Sequence, residues 1–168
     1  MSTRDELLMQ WLRDAHAMEK QAIESIENQV DRLENYPQMQ SWARDHVEAS
    51  QRQREMIRQC IERRGGDTSM LKDIAMTIMG NIQEATSFFT TDEVLKNAIT
   101  DYGFKSYEIA SYTSLRSAAE AAGDTQTARV CDSIIKEEEE LARRLVSILP
   151  EVTRAYMDRE AGGAAAKR

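Results

Sequence analysis

The chain has 168 residues, enough for one domain with a real core and too few for two comfortable ones. Its net charge of -7 comes with no basic stripe, which excludes a dedicated nucleic-acid binder, and no apolar run approaches the about 20 residues of a membrane span. Seven Gly and two Pro stand against abundant Ala, Glu, Arg, Gln and Met, so local propensity favours helix nearly everywhere and the composition is all-α.

The start, Met1-Ser2-Thr3-Arg4-Asp5-Glu6, is charged where a signal peptide would be apolar, so a cytoplasmic protein is expected. Thr3 and Glu6 are spaced as a capping box for a first helix that is predicted to run to about Asn35, where Tyr36-Pro37 forces a turn. Along it Leu8, Leu12, Ala15, Ala22, Ile26, Val30 and Leu33 form one stripe, and Glu19 stands on that stripe where a hydrocarbon is expected. A carboxylate on a core face needs a cation, a metal or a hydrogen-bond network, because burying it unpaired costs several kcal/mol or more (roughly). His16, one turn earlier, either joins that layer or lies on the surface.

A second helix is predicted from near Gln38 to Gly65-Gly66, with Trp42, His46, Ser50, Gln53, Ile57, Cys60 and Ile61 on its inner face. The two-residue turn makes the first pair an antiparallel hairpin. Asp67-Thr68-Ser69 supplies caps for a shorter helix from about Met70 to Ala85, whose three methionines read as core filling or as an interface. Phe88-Phe89 reads as an anchored loop, and Thr90 with Glu93 as the start of a third long helix over about 92 to 122.

In that third helix Leu95, Ala98, Tyr102, Ile109, Tyr112, Leu115 and Ala119 are predicted to face inward, with Glu108 beside them. Gly123-Asp124-Thr125 then breaks and restarts the chain into a fourth helix reaching about Arg159, with a kink or a new short helix expected at Pro150. Four consecutive residues sweep about 300° of a helix, so most of the run from Glu137 to Glu140 must be solvated. Glu138 is the exception by phase, three or four residues from Ile134, Ile135, Leu141 and Ala142. A single domain over 1–160 with a flexible tail over 161–168 is expected, and Cys60 and Cys131, without metal-ligand or CxxC spacing, read as buried free thiols.

Glu19, His46, Glu108 and Glu138 thus give one inward ligand-type residue per long helix, each near mid-helix and so at a similar depth. Carboxylate-bridged metal sites in four-helix bundles are built this way, and carboxylate with imidazole suits iron or manganese. The strict pattern also wants a Glu-x-x-His on two helices, but Leu141 follows Glu138 and Ala49 follows His46 at that spacing. A buried salt-bridged polar layer is the competing reading of the same four residues.

The stretch from Trp11 to Ala22, Asn35-Tyr36-Pro37, Glu108-Ile109-Ala110 with Tyr112-Thr113-Ser114-Leu115, Ala122-Gly123-Asp124-Thr125 and Glu137-Glu138 closely resemble the bacterial YciE/YciF family, YciE more than YciF. The resemblance spans nearly the whole chain in order. It implies a ferritin-like antiparallel four-helix bundle with a short extra helix between the hairpins, cytoplasmic, commonly dimeric and associated with stress responses. It also supports Glu19, His46, Glu108 and Glu138 as the inward polar set. Where that family usually carries acidic residues one turn after the helix-two His and one turn before the helix-three Glu, this chain has Ala49 and Lys105. Two lost carboxylates and a gained ammonium change the site by about three charge units.

Lys105 therefore either pairs with Glu108, Glu19 or Glu138 in place of a metal or snorkels out of the bundle. Two functions follow as expectations. One is an iron or manganese site in a homodimeric stress protein that meets O2 or peroxide, with Glu19, Glu108, Glu138 and His46 as ligands. The other is a non-catalytic structural or interaction bundle whose metal site has become a Lys105-carboxylate network.

Overall fold

The helix-favouring composition is realised as four long helices: α1 (Thr3–Val30), α2 (Pro37–Arg63), α3 (Glu93–Ala121) and α4 (Thr125–Ala161). The coordinates are a computed structural model, and the structure describes residues 3–67 and 93–163. The short helix expected over 70–85, the Phe88-Phe89 anchor, the Thr90 cap and the tail beyond Gly163 lie outside the described residues.

Cross-helix contacts set the topology. At one end Arg64 bridges Asp5 and Asp124 at 2.8 Å each, and the Arg4 guanidinium donates to the Ala121 carbonyl at 3.2 Å. Further along, the Trp42 indole donates to the Leu141 carbonyl at 2.9 Å, and Gln38 donates to Glu151 at 2.8 Å. Each helix is therefore antiparallel to its neighbours, in the cyclic order α1, α2, α4, α3.

The core divides in two. Leu8, Leu12, Ile57, Ile61, Leu115 and Ile134 anchor one half, together with the free, buried Cys60 and Cys131. Ile26, Met39, Trp42, Ala98, Leu141 and Leu145 anchor the other. Each buried Leu, Ile or Met among them contributes about 1.5–3 kcal/mol of hydrophobic stabilisation. Between the halves lies the polar layer.

Three expectations are corrected. First, α1 ends at Val30, five residues before Asn35: the N–H groups of Arg32 and Leu33 turn back to Gln29 and Val30, and Leu33 tucks into the core from the turn. Second, Tyr102 is 42% exposed, because the inward stripe of α3 alternates steps of four and three through Val94, Ala98, Asp101, Lys105, Glu108, Tyr112, Leu115 and Ala119. That is the period of a coiled-coil seam, and Tyr102 sits one residue off it. Third, no new helix begins at Pro150: α4 is one continuous helix of 37 residues through it, held on either side of the proline by buried Leu145 and Val152.

A buried polar layer as candidate functional site

The period that fixes the hydrophobic seam also delivers polar side chains to mid-bundle. Glu19 from α1, His46 from α2, Glu108 from α3 and Glu138 from α4 are each 0–1% exposed. Within the acidic run only Glu138 is buried; Glu139 and Glu140 are exposed, and Glu137 turns outward to Arg52 and Gln53 at 2.5 and 2.8 Å.

Lys105 occupies the middle of the layer. It is 0% exposed, and its Nζ lies 2.5 Å from Glu108 Oε2 and 2.5 Å from Glu138 Oε2. Snorkelling is thus ruled out by its burial and by both contacts. The Tyr112 hydroxyl donates to Glu19 Oε1 at 2.5 Å and completes the contacts from α3. The imidazole of His46 packs on Trp42, ring centroids 5.0 Å apart, and neither of its nitrogens has a hydrogen-bond partner.

Electrostatics follow from burial and from Lys105, the one fully buried cation among the described residues. Burial opposes the Lys105 ammonium, but Glu108, Glu138 and Glu19 outweigh it and push its pKa up to about 12. Burial and the neighbouring Glu138 raise Glu19 to about 7, against the pull of Lys105 and Tyr112. Burial also drives Glu108 well above the ordinary carboxylate range, and burial with the Lys105 charge drives His46 well below its ordinary value. The layer therefore favours a charged lysine, a neutral imidazole and protons on part of its carboxylate set.

His16 stands apart from this layer. It accepts from Arg54 Nε at 3.2 Å between α1 and α2, and burial with the Arg54 charge lowers its pKa to about 4. Ser50, Gln53 and Asp101 are also buried among the helices. The first two are visible on the α2 stripe, whereas Asp101 is signalled only by its four-residue spacing from Lys105.

The geometry of the donor set bears directly on whether it suits a metal. Among the described residues no three His, Cys, Asp or Glu side chains converge so as to hold an ion together, and the Lys105 ammonium lies between two of the four candidate ligands. A cation beside that ammonium would meet direct repulsion in a low-dielectric interior. The residues in this arrangement do not fit a carboxylate-bridged metal pair. Among the described residues no helix is long and apolar enough to cross a membrane.

Comparison with known proteins gives the same architecture. A solved protein from Xanthomonas campestris pv. campestris is 31% identical, with a TM-score of 0.79 over 95% of this chain and 99% of its own. The E. coli stress protein YciF is 22% identical, with a TM-score of 0.73 over 89% of this chain and 96% of its own. YcfI of Rhodopseudomonas palustris is 22% identical, with a TM-score of 0.67 over 86% of this chain and 94% of its own. A family profile described as "Domain of unknown function (DUF892)" matches residues 3–158. The chain is thus a four-helix bundle that belongs to the DUF892 family, the YciE/YciF-like group to which its sequence motifs point.

Proposed function

We propose that this chain is a non-catalytic member of its family, in which Lys105 closes the interior layer where a ferritin-like relative would place metal, and that it acts through its surface. The observation that carries this reading is the ammonium at 2.5 Å from both Glu108 and Glu138, with no exposure to solvent. One fixed positive charge there supplies the counter-ion that buried carboxylates require. The layer then serves helix register: Lys105 and Glu108 from α3, Glu138 from α4 and Glu19 from α1 match only when the helices sit at one depth. A cytoplasmic, homodimeric protein engaged under stress belongs to the same proposal, and its support is the motif resemblance.

Metal binding is the second reading, and specific atoms favour it. Glu19 Oε2, Glu138 Oε1, Glu108 Oε1 and both nitrogens of His46 are buried without hydrogen-bond partners. Unsatisfied buried polar atoms of this kind are uncommon in folded proteins, and the acceptors among them, the carboxylate oxygens and one imidazole nitrogen, attract a cation or water. Elemental analysis of untagged protein after anaerobic loading with Fe(II) or Mn(II) separates the two. Background metal in the wild type, with binding created by Lys105→Glu, is expected. Near-stoichiometric metal in the wild type, lost in Glu19→Ala and Glu138→Ala, would overturn the proposal in favour of iron or manganese chemistry with O2 or peroxide.

A further inference from the structure

The polar layer leaves a second site untouched. Between α1 and α3 lies a pocket of about 350 Å³ lined by Trp11, Asp14, Met18, Tyr107, Ser111 and Leu115, among others. That volume falls in the range of small-ligand sites. Trp11 and Tyr107 are 42% and 55% exposed, so two large aromatic rings are presented to solvent at the mouth of a concave surface. Tyr107 is not a loose ring: it stacks on Phe104 with centroids 6.2 Å apart and an interplanar angle of 19°.

The same pocket holds a carboxylate, Asp14, for which the described residues supply no ion pair. Asp14 is half-buried, and its pKa is raised by burial, with no positive charge among the described residues to lower it. Asp5 and Asp124, by contrast, each pair with Arg64 at 2.8 Å. The floor is apolar, formed by Ala15, Met18 and Leu115. Aromatic faces carry negative potential and attract cations, most strongly for Trp, and a desolvated carboxylate adds a full charge of the same sign. Ser111 and Ser114 add hydroxyl acceptors on the α3 side.

We propose that the pocket at Trp11, Asp14 and Tyr107 binds a small organic cation of the alkylammonium class. The rings and Met18 desolvate the alkyl groups, and Asp14 neutralises the nitrogen. A bare metal ion is a poor match, because a single carboxylate with two hydroxyls leaves most of its coordination shell unfilled and the rings cannot replace it. The site is independent of Lys105 and stands whether or not the interior layer binds metal.

The test is titration of the intact protein with tetramethylammonium chloride at constant ionic strength set with NaCl, followed by Trp fluorescence and by calorimetry. Trp42 is 1% exposed and held by Leu141, so it gives a constant background against Trp11. The expected result is a saturable change, weakened at least tenfold in Asp14→Asn and several-fold in Tyr107→Leu. Tyr107 is exposed enough for that second variant to fold even if the first does not. The neutral analogue 2,2-dimethylpropan-1-ol, which keeps the branched carbon skeleton and adds one hydroxyl, is expected to bind at least tenfold more weakly than the cation. No saturable binding of tetramethylammonium, binding undiminished in both variants, or equal binding of the neutral alcohol would each overturn the proposal.

Discussion

The ammonium of Lys105 is held from within its own helix by Glu108, one turn on, and across the bundle by Glu138, so its removal strands two carboxylates at once. Breaking a buried ion pair from one side costs about 3–5 kcal/mol, whereas replacing the whole cluster by neutral residues of like shape is often close to neutral. Lys105→Met is therefore expected to lower the urea-unfolding free energy by roughly that amount, with most of it regained in Lys105→Met/Glu108→Gln/Glu138→Gln. An unchanged midpoint for the single variant would show that the ammonium is not the counter-ion of the layer. This residue was half legible in the sequence. Its position one turn before Glu108 marks it as a candidate partner, but a long stem can reach solvent from a core position as readily as it can pair, and only the burial of the surrounding seam decides between them.

At the scale of the element, the join between α3 and α4 concentrates several functions in Asp124. Gly123, at φ +74°, ends α3 in a conformation that L side chains rarely adopt, and Asp124 then caps α4 by accepting from the Thr127 N–H at 3.0 Å. Arg63 and Arg64 bring the end of α2 onto the same carboxylate at 2.8 Å. Although burial pushes the other way, these donors hold the Asp124 carboxyl well below its usual range, so its contribution is present at neutral pH and is lost only in strong acid. Asp124→Ala is expected to cost about 2 kcal/mol by urea unfolding, since a cap is worth about 1 kcal/mol and two guanidinium contacts go with it. Asp124→Asn should keep much of the cap and lose the charge pairing. A cost below that of an ordinary surface substitution would place the α2–α4 connection elsewhere. The break and restart here are readable from Gly123-Asp124-Thr125, because caps are local chemistry. The end of α1 is not, since a polar stretch such as Asp31-Arg32 is compatible with either a helix or a turn until Leu33 finds its place in the core. Pro150 starts no new helix for a related reason: packing on both sides of a proline can carry a helix through it.

At the scale of the whole molecule, the sequence shows which four residues face inward, because Glu19, His46, Glu108 and Glu138 lie in phase with hydrocarbons, while it leaves open what their charges do together. Burial sets two opposing groups of titrations. Glu19 and Asp101 are each raised by burial to about 7, from ordinary values of 4.5 and 3.8. As pH falls from about 7 toward 4 the folded state takes up these protons before the unfolded state does, so both groups add stability on acidification. The imidazoles act in reverse. His16, lowered to about 4, and His46, lowered well below 6.5, stay neutral in the fold while the unfolded chain protonates, so stability is lost as pH falls below about 6.5. The wild type is expected to show a shallow dependence across this range because the two groups offset each other. Glu19→Gln/Asp101→Asn removes the first group. It should be more stable than the wild type at pH 8, by on the order of 2 kcal/mol, with the difference shrinking toward pH 4 as the wild-type carboxyls become neutral. Urea unfolding of both proteins at four pH values between 4 and 8 measures the difference directly. Two parallel curves would mean that Glu19 and Asp101 titrate alike in the folded and unfolded chains, and that the interior layer is more hydrated than its burial implies.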